Sequence, residues 1–142
     1  MEENINALDE IHKGACMGVD AISFVLDRVE DDGLKKELLK EEKEYNIIKE
    51  KIEKIYPKYN EGKPHETGVM TKAMTWSGTL MKTFNDKSNS KIAELLLQGV
   101  NMGIIEGRKI LNNKKINKEV NNIIEYYVKM QEDSVEVLKK YL

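Results

Sequence analysis

Apart from its carboxylates, the chain has few side chains that could do chemistry: one cysteine, Cys16, and two histidines, His12 and His65. Cys16 follows His12 by one helical turn, so a cysteine nucleophile with a histidine base is the first chemistry to consider. That chemistry needs the base to be oriented by a third group in a concave site, which neighbours on one packed helix rarely provide. We therefore expect His12 to be a hydrogen-bonded residue at the border of the core and Cys16 to fill space as a small apolar residue.

The carboxylates raise the question of a metal site, because some helical bundles hold two metal ions with glutamates and a Glu-x-x-His motif on each of two helices. No Glu in this sequence is followed by His three positions later. The weak candidates that remain for metal ligands are Asp20, Glu41, Glu44 and Glu106. Glu41 and Glu44 are the nearest remnant of a ligand pair, and we expect both to be solvated. The sequence therefore predicts no metal site and no cofactor.

The elements that would position these residues are helices, because apolar residues recur at helical spacing nearly throughout the chain. Five helices are predicted: the first at about residues 3–29, the second after the EDDG turn up to about residue 56, the third at about 67–85, the fourth at about 91–111, and the fifth reaching the C-terminus. Asp31 or Asp32 is a plausible N-cap of the second helix. Both prolines, Pro57 and Pro64, lie in a segment that we interpret as a loop. No segment has the alternation or the turn chemistry of a strand, so the predicted class is all-α.

A sequence repeat links the two halves of the chain. The stretch 13–21, KGACMGVDA, is similar to the stretch 98–106, QGVNMGIIE, at an offset of 85 residues. An offset of 86 aligns apolar positions of the second and fifth predicted helices. We predict a single domain, 1–142, in which two duplicated hairpins form an antiparallel four-helix bundle. The hairpins are residues 3–56 and 91–142, and a loop with a short crossover helix joins them within residues 57–90.

The repeated glycines need a physical reason, because a glycine inside a helix costs about 1 kcal/mol relative to alanine. Without Cβ atoms, two helix backbones can approach more closely than the usual spacing of about 8 to 10 Å. We predict that the first and fourth helices cross at the glycines, which are Gly14, Gly18, Gly99, Gly103 and Gly107. The alternatives are glycines that are merely tolerated and glycines that clear room for a ligand. Asp20 and Glu106 occupy inequivalent repeat positions, which argues against a symmetric pair of metal ions there.

A helical hairpin, a long connection and a second hairpin related by pseudo-two-fold symmetry resemble the ferritin-like superfamily. The two GxxMG cores, together with LKKELLKEEKEY at 34–45, are similar to small bacterial ferritin-like domains of unassigned function. The resemblance implies the bundle fold. It does not imply the di-iron chemistry of that superfamily, because the Glu-x-x-His motif is absent from both second helices of the hairpins.

The composition excludes some classes of function. A net charge of -2 argues against general nucleic-acid binding, which needs a basic surface. One cysteine excludes an internal disulfide and fits a reducing compartment. The first residues are acidic and lack the apolar region of a signal peptide, and no apolar run approaches the roughly 18 residues of a membrane span. We expect a cytoplasmic protein without stable membrane insertion. The abundance of Lys, Asn and Ile is typical of AT-rich bacterial genomes.

We expect a non-catalytic module that acts by self-association, as a homo-oligomer such as a dimer, or by binding a protein partner. The predicted contact residues are Trp76, on the outer side of the third helix, and Tyr126, beside the core-facing Tyr127, because large aromatic side chains contribute strongly to interfaces. Packing of Trp76 within its own chain is the alternative. Two other functions stay open. They are a metal-binding or oxidative ferritin-like enzyme, and a binder of small molecules or lipid that uses the bundle interior.

Overall fold

The computed structural model describes residues 2–64 and 88–142. They form four α-helices, α1 (Glu2–Leu26), α2 (Asp32–Ile55), α3 (Asn89–Asn113) and α4 (Lys118–Leu138). Short 3-10 turns follow at Tyr56–Lys58 and Lys139–Tyr141. The described residues contain no strand, which confirms the all-α class and the four-helix bundle. The predicted third helix, at 67–85, lies outside them, so α3 and α4 correspond to the fourth and fifth predicted helices.

The helix ends follow from local side-chain chemistry. Asp31 caps α2 as predicted, because its Oδ1 accepts a hydrogen bond from the backbone N–H of Leu34 at 2.8 Å. Ser88 caps α3 in the same way through the backbone N–H of Lys91. α1 ends at Leu26, three residues before the predicted boundary. There the Arg28 guanidinium donates a hydrogen bond to the carbonyl of Phe24, in the last turn of the helix.

Neighbouring helices run antiparallel, as hydrogen bonds at one end of the bundle show. The start of α1 contacts the start of α4, where Oδ1 of Asn4 accepts a hydrogen bond from the backbone N–H of Asn117 at 2.7 Å. The chain just after α2 reaches the same place, because the Tyr59 hydroxyl donates to Glu119. The end of α2 and the start of α3 therefore lie at opposite ends of the bundle, about 37 Å apart for a 25-residue helix.

The core between the helices is apolar and continuous. α1 packs on α2 and α3 packs on α4 within the hairpins, and between the hairpins α1 packs on α3 and α2 on α4. All four helices contribute fully buried side chains at predicted stripe positions: Leu8, Ile11, Ile22, Leu34, Leu38, Ile48, Ile52, Ile92, Ile124 and Leu138. None of the described helices is long and apolar enough to cross a membrane. Polar side chains interrupt this core beside the glycines of the repeat, and they form the candidate site.

Candidate functional site

The glycines of the repeat make room for large side chains from the second helix of each hairpin. A Cβ atom at Gly18 would lie only 2.6 Å from Cε2 of Tyr45, in α2. At Gly103 a Cβ atom would overlap the side-chain amide of Gln131, in α4. The repeat offsets of 85 and 86 map the first contact onto the second. The duplicated hairpins therefore use equivalent glycines to seat equivalent side chains, a tyrosine in one and a glutamine in the other.

Gly14 and Gly107 extend the same packing. A Cβ atom at Gly14 would overlap the hydroxyl of Tyr127, which reaches α1 from α4, and one at Gly107 would overlap Cγ2 of Val128. The atoms nearest to these glycines thus belong to side chains of the second helices. The predicted backbone crossing at Gly18 and Gly103 stays a prediction, although α1 and α3 do pack on each other.

The space beside the glycines is a cleft of about 70 Å³, which we call the glycine cleft. Gly14 and Gly18 of α1 and Gly99 and Gly103 of α3 all line it. Its buried lining consists of Ile11, Ala21, Ile22, Glu41, Tyr45, Leu96, Val100, Tyr127 and Gln131. Its more exposed lining consists of Glu10, Lys13, Met17, Met102 and Glu106. The structure therefore gathers four of the five predicted crossing glycines around one cavity, of whose lining Met102 and Glu106 are exposed.

Two polar atoms in the lining have no hydrogen-bond partner. Gln131 is 1% exposed and its Nε2 is unpartnered, and Glu41 is 3% exposed with an unpartnered Oε2. Among the buried side-chain atoms of the described residues, these are the two that lack a partner. An unsatisfied buried polar group costs about 1 to 3 kcal/mol. Both orphaned atoms belong to residues of the same cavity, so the glycine cleft concentrates the polar groups that the fold leaves unpaired.

Glu41 is protonated at neutral pH. Burial, followed by the hydrogen bond and negative charge of Glu37, raises the pKa of its carboxyl to about 8, and a hydrogen bond with Ser134 acts in the opposite direction. The expectation that Glu41 is solvated is therefore wrong. It lies at a helical spacing between Leu38 and Tyr45, on the buried face of α2. Its neighbour Glu44 is half-buried, and burial also raises the pKa of that carboxyl.

The two tyrosines of the cleft, Tyr45 and Tyr127, are buried beside negatively charged side chains. Their rings lie 6.3 Å apart at an angle of 59°. Burial raises the pKa of both hydroxyls. The negative charges of Glu106 and Glu10 raise the pKa of Tyr127 further. Tyr45 and Tyr127 are therefore neutral phenols, and the carboxylates at the opening act on groups inside the cleft.

The candidate metal ligands are not gathered into a metal site. Of the four, Glu41 and Glu106 line the glycine cleft, whereas Asp20 is exposed and Glu44 is half-buried outside it. Within residues 2–64 and 88–142, no group of three or more His, Cys, Asp or Glu side chains is placed to hold a metal ion. The arrangement thus offers one buried acid beside an acidic opening, which suits binding better than metal coordination.

His12 links α1 to α2 through a hydrogen bond. It is buried, and its Nε2 lies 3.0 Å from Oε1 of Glu53 in α2. Its other nitrogen, Nδ1, lies 3.8 Å from Sγ of Cys16. A third group for the Cys/His pair is therefore present, but none of these three residues lines the glycine cleft. The structure places His12 as the hydrogen-bonded residue that the sequence predicts, joining α1 to α2.

Of the two predicted contact residues, Tyr126 lies within the described residues and Trp76 lies outside them. His65 also lies outside them. Tyr126 is half-buried, and the ammonium of Lys51 lies 4.3 Å from the centre of its ring. Tyr127 faces the core as predicted. No family model, curated protein or solved structure matches this chain, so the site rests on its own geometry.

Proposed function

We propose that this protein binds a small molecule in the glycine cleft. The observation that carries the proposal is the pair of buried, unpartnered atoms, Nε2 of Gln131 and Oε2 of Glu41, in one cavity. Buried polar groups in folded proteins are nearly always hydrogen-bonded, and the exceptions call for a specific explanation. A bound molecule supplies that explanation, because it would give both atoms a partner.

The size and lining of the cleft support a small occupant. A void needs about 10 to 15 Å³ of such volume for one water molecule, and an engineered cavity of about 150 Å³ binds benzene. The glycine cleft, at about 70 Å³, lies between these values. The described lining brings no serine, cysteine or histidine to the cavity. We therefore propose binding rather than a reaction through one of those nucleophiles.

A fragment screen by ligand-observed NMR tests this function. Compounds that bind the wild-type protein are retested on Gln131→Leu, which removes one orphaned atom at nearly constant volume, and on Gln98→Leu, which makes the same change at an exposed position of α3. We expect a set of mutually competing compounds whose binding is lost in Gln131→Leu and kept in Gln98→Leu. Binding that is unaffected by Gln131→Leu, or a screen with no such compounds, would contradict the proposal.

Localisation, layout and self-association of the protein are further parts of the proposed function. We propose a cytoplasmic bacterial protein with a ferritin-like layout, for which the antiparallel hairpins and the single cysteine give support. Self-association as a homodimer is proposed on the exposed apolar side chains of α3, Met102 and Ile105, which are 48% and 54% exposed. Light scattering over a range of protein concentrations tests it, and a mass that stays monomeric at high concentration would contradict it.

A further inference from the structure

We infer that the occupant of the glycine cleft is a small primary ammonium ion that also carries a hydrogen-bond acceptor, such as an amino alcohol. Its nitrogen donates to Glu41 and its acceptor receives a hydrogen bond from Gln131. The inference rests on the proposed function, since it names the chemical class of the molecule bound there. Three properties of the cleft select this class: the direction of its hydrogen bonds, the sign of its charge and its size.

The two orphaned atoms require opposite partners. Nε2 of Gln131 is an amide nitrogen and can only donate. Oε2 of Glu41 is a carboxyl oxygen without a partner. Beside a cation the carboxyl is ionised, and a carboxylate oxygen can only accept. A cationic ligand therefore needs a donor for Glu41 and an acceptor for Gln131.

The charges around the cleft favour a cation. Glu10 and Glu106 face it with two carboxylates, against one ammonium from Lys13. Their field reaches the interior, where it raises the pKa of Tyr127. An anionic ligand would meet this field as well as the buried acid. A cation would gain from it. The lining also holds two aromatic rings, Tyr45 and Tyr127, and aromatic rings attract positive charge at their faces.

The lining favours an organic cation over a metal ion. The described residues offer no cluster of three ligating side chains. The cavity instead surrounds its polar atoms with apolar surface from Met17, Met102 and Ile22. Methionine side chains adapt readily to a short carbon chain. An ammonium group linked by a few methylenes to a hydroxyl therefore matches both the polar and the apolar parts of the lining.

Binding of an ammonium ion releases the proton of Glu41. An adjacent positive charge favours the ionised carboxylate and offsets the effect of burial. Tyr127 stays neutral because burial holds its pKa above the usual value. The charged and titratable groups that face Glu41 across the cavity or along its own helix are Glu37, Glu44, Tyr45, Tyr127, Glu10, Lys13 and Glu106. Since one proton leaves for each cation bound, the affinity rises about tenfold per pH unit up to about pH 8.

The test compares three probes of nearly equal size and different charge. These are 3-aminopropan-1-ol, the neutral 1,3-propanediol and the anionic 3-hydroxypropanoate, each titrated into the isotopically labelled protein while backbone amide shifts are followed by NMR. We expect 3-aminopropan-1-ol to shift amides of Gly14, Gly18 and Gly103. Its affinity rises about tenfold per unit of pH from below neutrality to about pH 8. Glu41→Gln abolishes this dependence and weakens binding at least tenfold at the upper pH. Gln131→Leu weakens binding, and Gln98→Leu does not.

The outcomes separate the inference from the proposed function. If 1,3-propanediol or 3-hydroxypropanoate binds the cleft as tightly as 3-aminopropan-1-ol, the ammonium class is overturned and the binding function stands. If 3-aminopropan-1-ol fails to bind at tens of millimolar, the inference is likewise overturned. The proposed function fails only when the fragment screen yields no compound that depends on Gln131. Circular dichroism confirms that Glu41→Gln and Gln131→Leu are folded before either result is used.

Discussion

Gln131 occupies a position at which an apolar residue would make the empty protein more stable. Its side chain is 1% exposed, and its Nε2 has no partner. Removing such an atom at constant shape recovers its desolvation penalty, about 1 to 3 kcal/mol. We therefore expect Gln131→Leu to raise the free energy of unfolding by about that amount in urea denaturation. The same change at the exposed Gln98 should stay within about 0.5 kcal/mol. A less stable Gln131→Leu would show that the amide makes a stabilising hydrogen bond in the free protein.

Glu41 makes the stability of the protein depend on pH. Its pKa is about 8 in the folded state, against 4.5 for the unperturbed group. Between these values the folded state holds a proton that the unfolded state has lost, so stability falls as the pH rises through this range. At about 1.4 kcal/mol per unit of pKa, the loss amounts to a few kcal/mol.

Glu41→Gln keeps the shape of the side chain and removes the titration. We expect the variant to be as stable as the wild type near pH 4.5 and more stable above pH 8. Exposed Glu50, on the same helix, provides the control Glu50→Gln, which should follow the wild type across the range. Thermal unfolding midpoints measured against pH decide the matter. Parallel curves for wild type and Glu41→Gln would mean that Glu41 is ionised in the folded protein.

The residues of the site were partly predictable. Gln131 and Tyr127 fall on the apolar stripe of the last helix, so the sequence already places both on the buried face. Glu41 fills the helical spacing between Leu38 and Tyr45, but it lies within a run of charged residues that is typical of a solvated face. Periodicity indicates the face of a helix and not whether a polar side chain on that face finds a partner. The unpaired atoms therefore required the structure.

At the scale of the helices, the glycines show that a repeated motif can be recognised before the side chains beside it are known. GxxMG predicts the duplication, and the equivalent contacts of Gly18 with Tyr45 and of Gly103 with Gln131 agree with it. The crossing of the two glycine-bearing helices stays a prediction. The side chains nearest to these glycines come from α2 and α4, and the sequence does not indicate them. Spacing along one helix contains no information on which neighbour fills the gap.

Gly18→Ala tests the role of this packing. Alanine gains about 1 kcal/mol of helix propensity over glycine. At Gly18, however, the new Cβ would lie 2.6 Å from the ring of Tyr45, a buried side chain that is 4% exposed. Overpacking of a core costs about 1 to 3 kcal/mol, so we expect a net loss of stability in denaturant unfolding.

Gly33→Ala is the matched control, since Gly33 lies in the first turn of α2 and its Cβ would meet the hydroxyl end of the partly exposed Tyr141 at 2.7 Å. The far end of a partly exposed side chain can shift, so Gly33→Ala should cost less than Gly18→Ala. Equal effects of the two substitutions, or a stabilising Gly18→Ala, would mean that Tyr45 is loosely held and that the glycine is not needed for its packing.

At the scale of the whole molecule, polar contacts at one end of the bundle tie the two hairpins together. Tyr59, which follows α2, donates to Glu119 at the start of α4. Lys58 lies 3.3 Å from the same carboxylate. Asn4 of α1 accepts from the backbone of Asn117, and Glu3 accepts from that of Lys115. The apolar stripes predict that four helices associate. These contacts between distant residues join the hairpins at that end, and no local pattern in the sequence indicates them.

Asn4 is the buried member of this set, and its removal is the sharpest test of how the hairpins are joined. It is 3% exposed, and its Oδ1 accepts from the N–H of Asn117, the N-cap residue of α4, at 2.7 Å. Asn4→Ala should lower the free energy of unfolding by about 0.5 to 1.5 kcal/mol, the usual contribution of one hydrogen bond. Asn6→Ala, two residues away and exposed, should have almost no effect.

Hydrogen exchange at the Asn117 amide gives the local readout. We expect it to accelerate in Asn4→Ala and not in Asn6→Ala, because the start of α4 is held across the bundle by α1. An unchanged exchange rate would place the tie between the hairpins elsewhere, in the contacts of Glu119 with Tyr59 and Lys58.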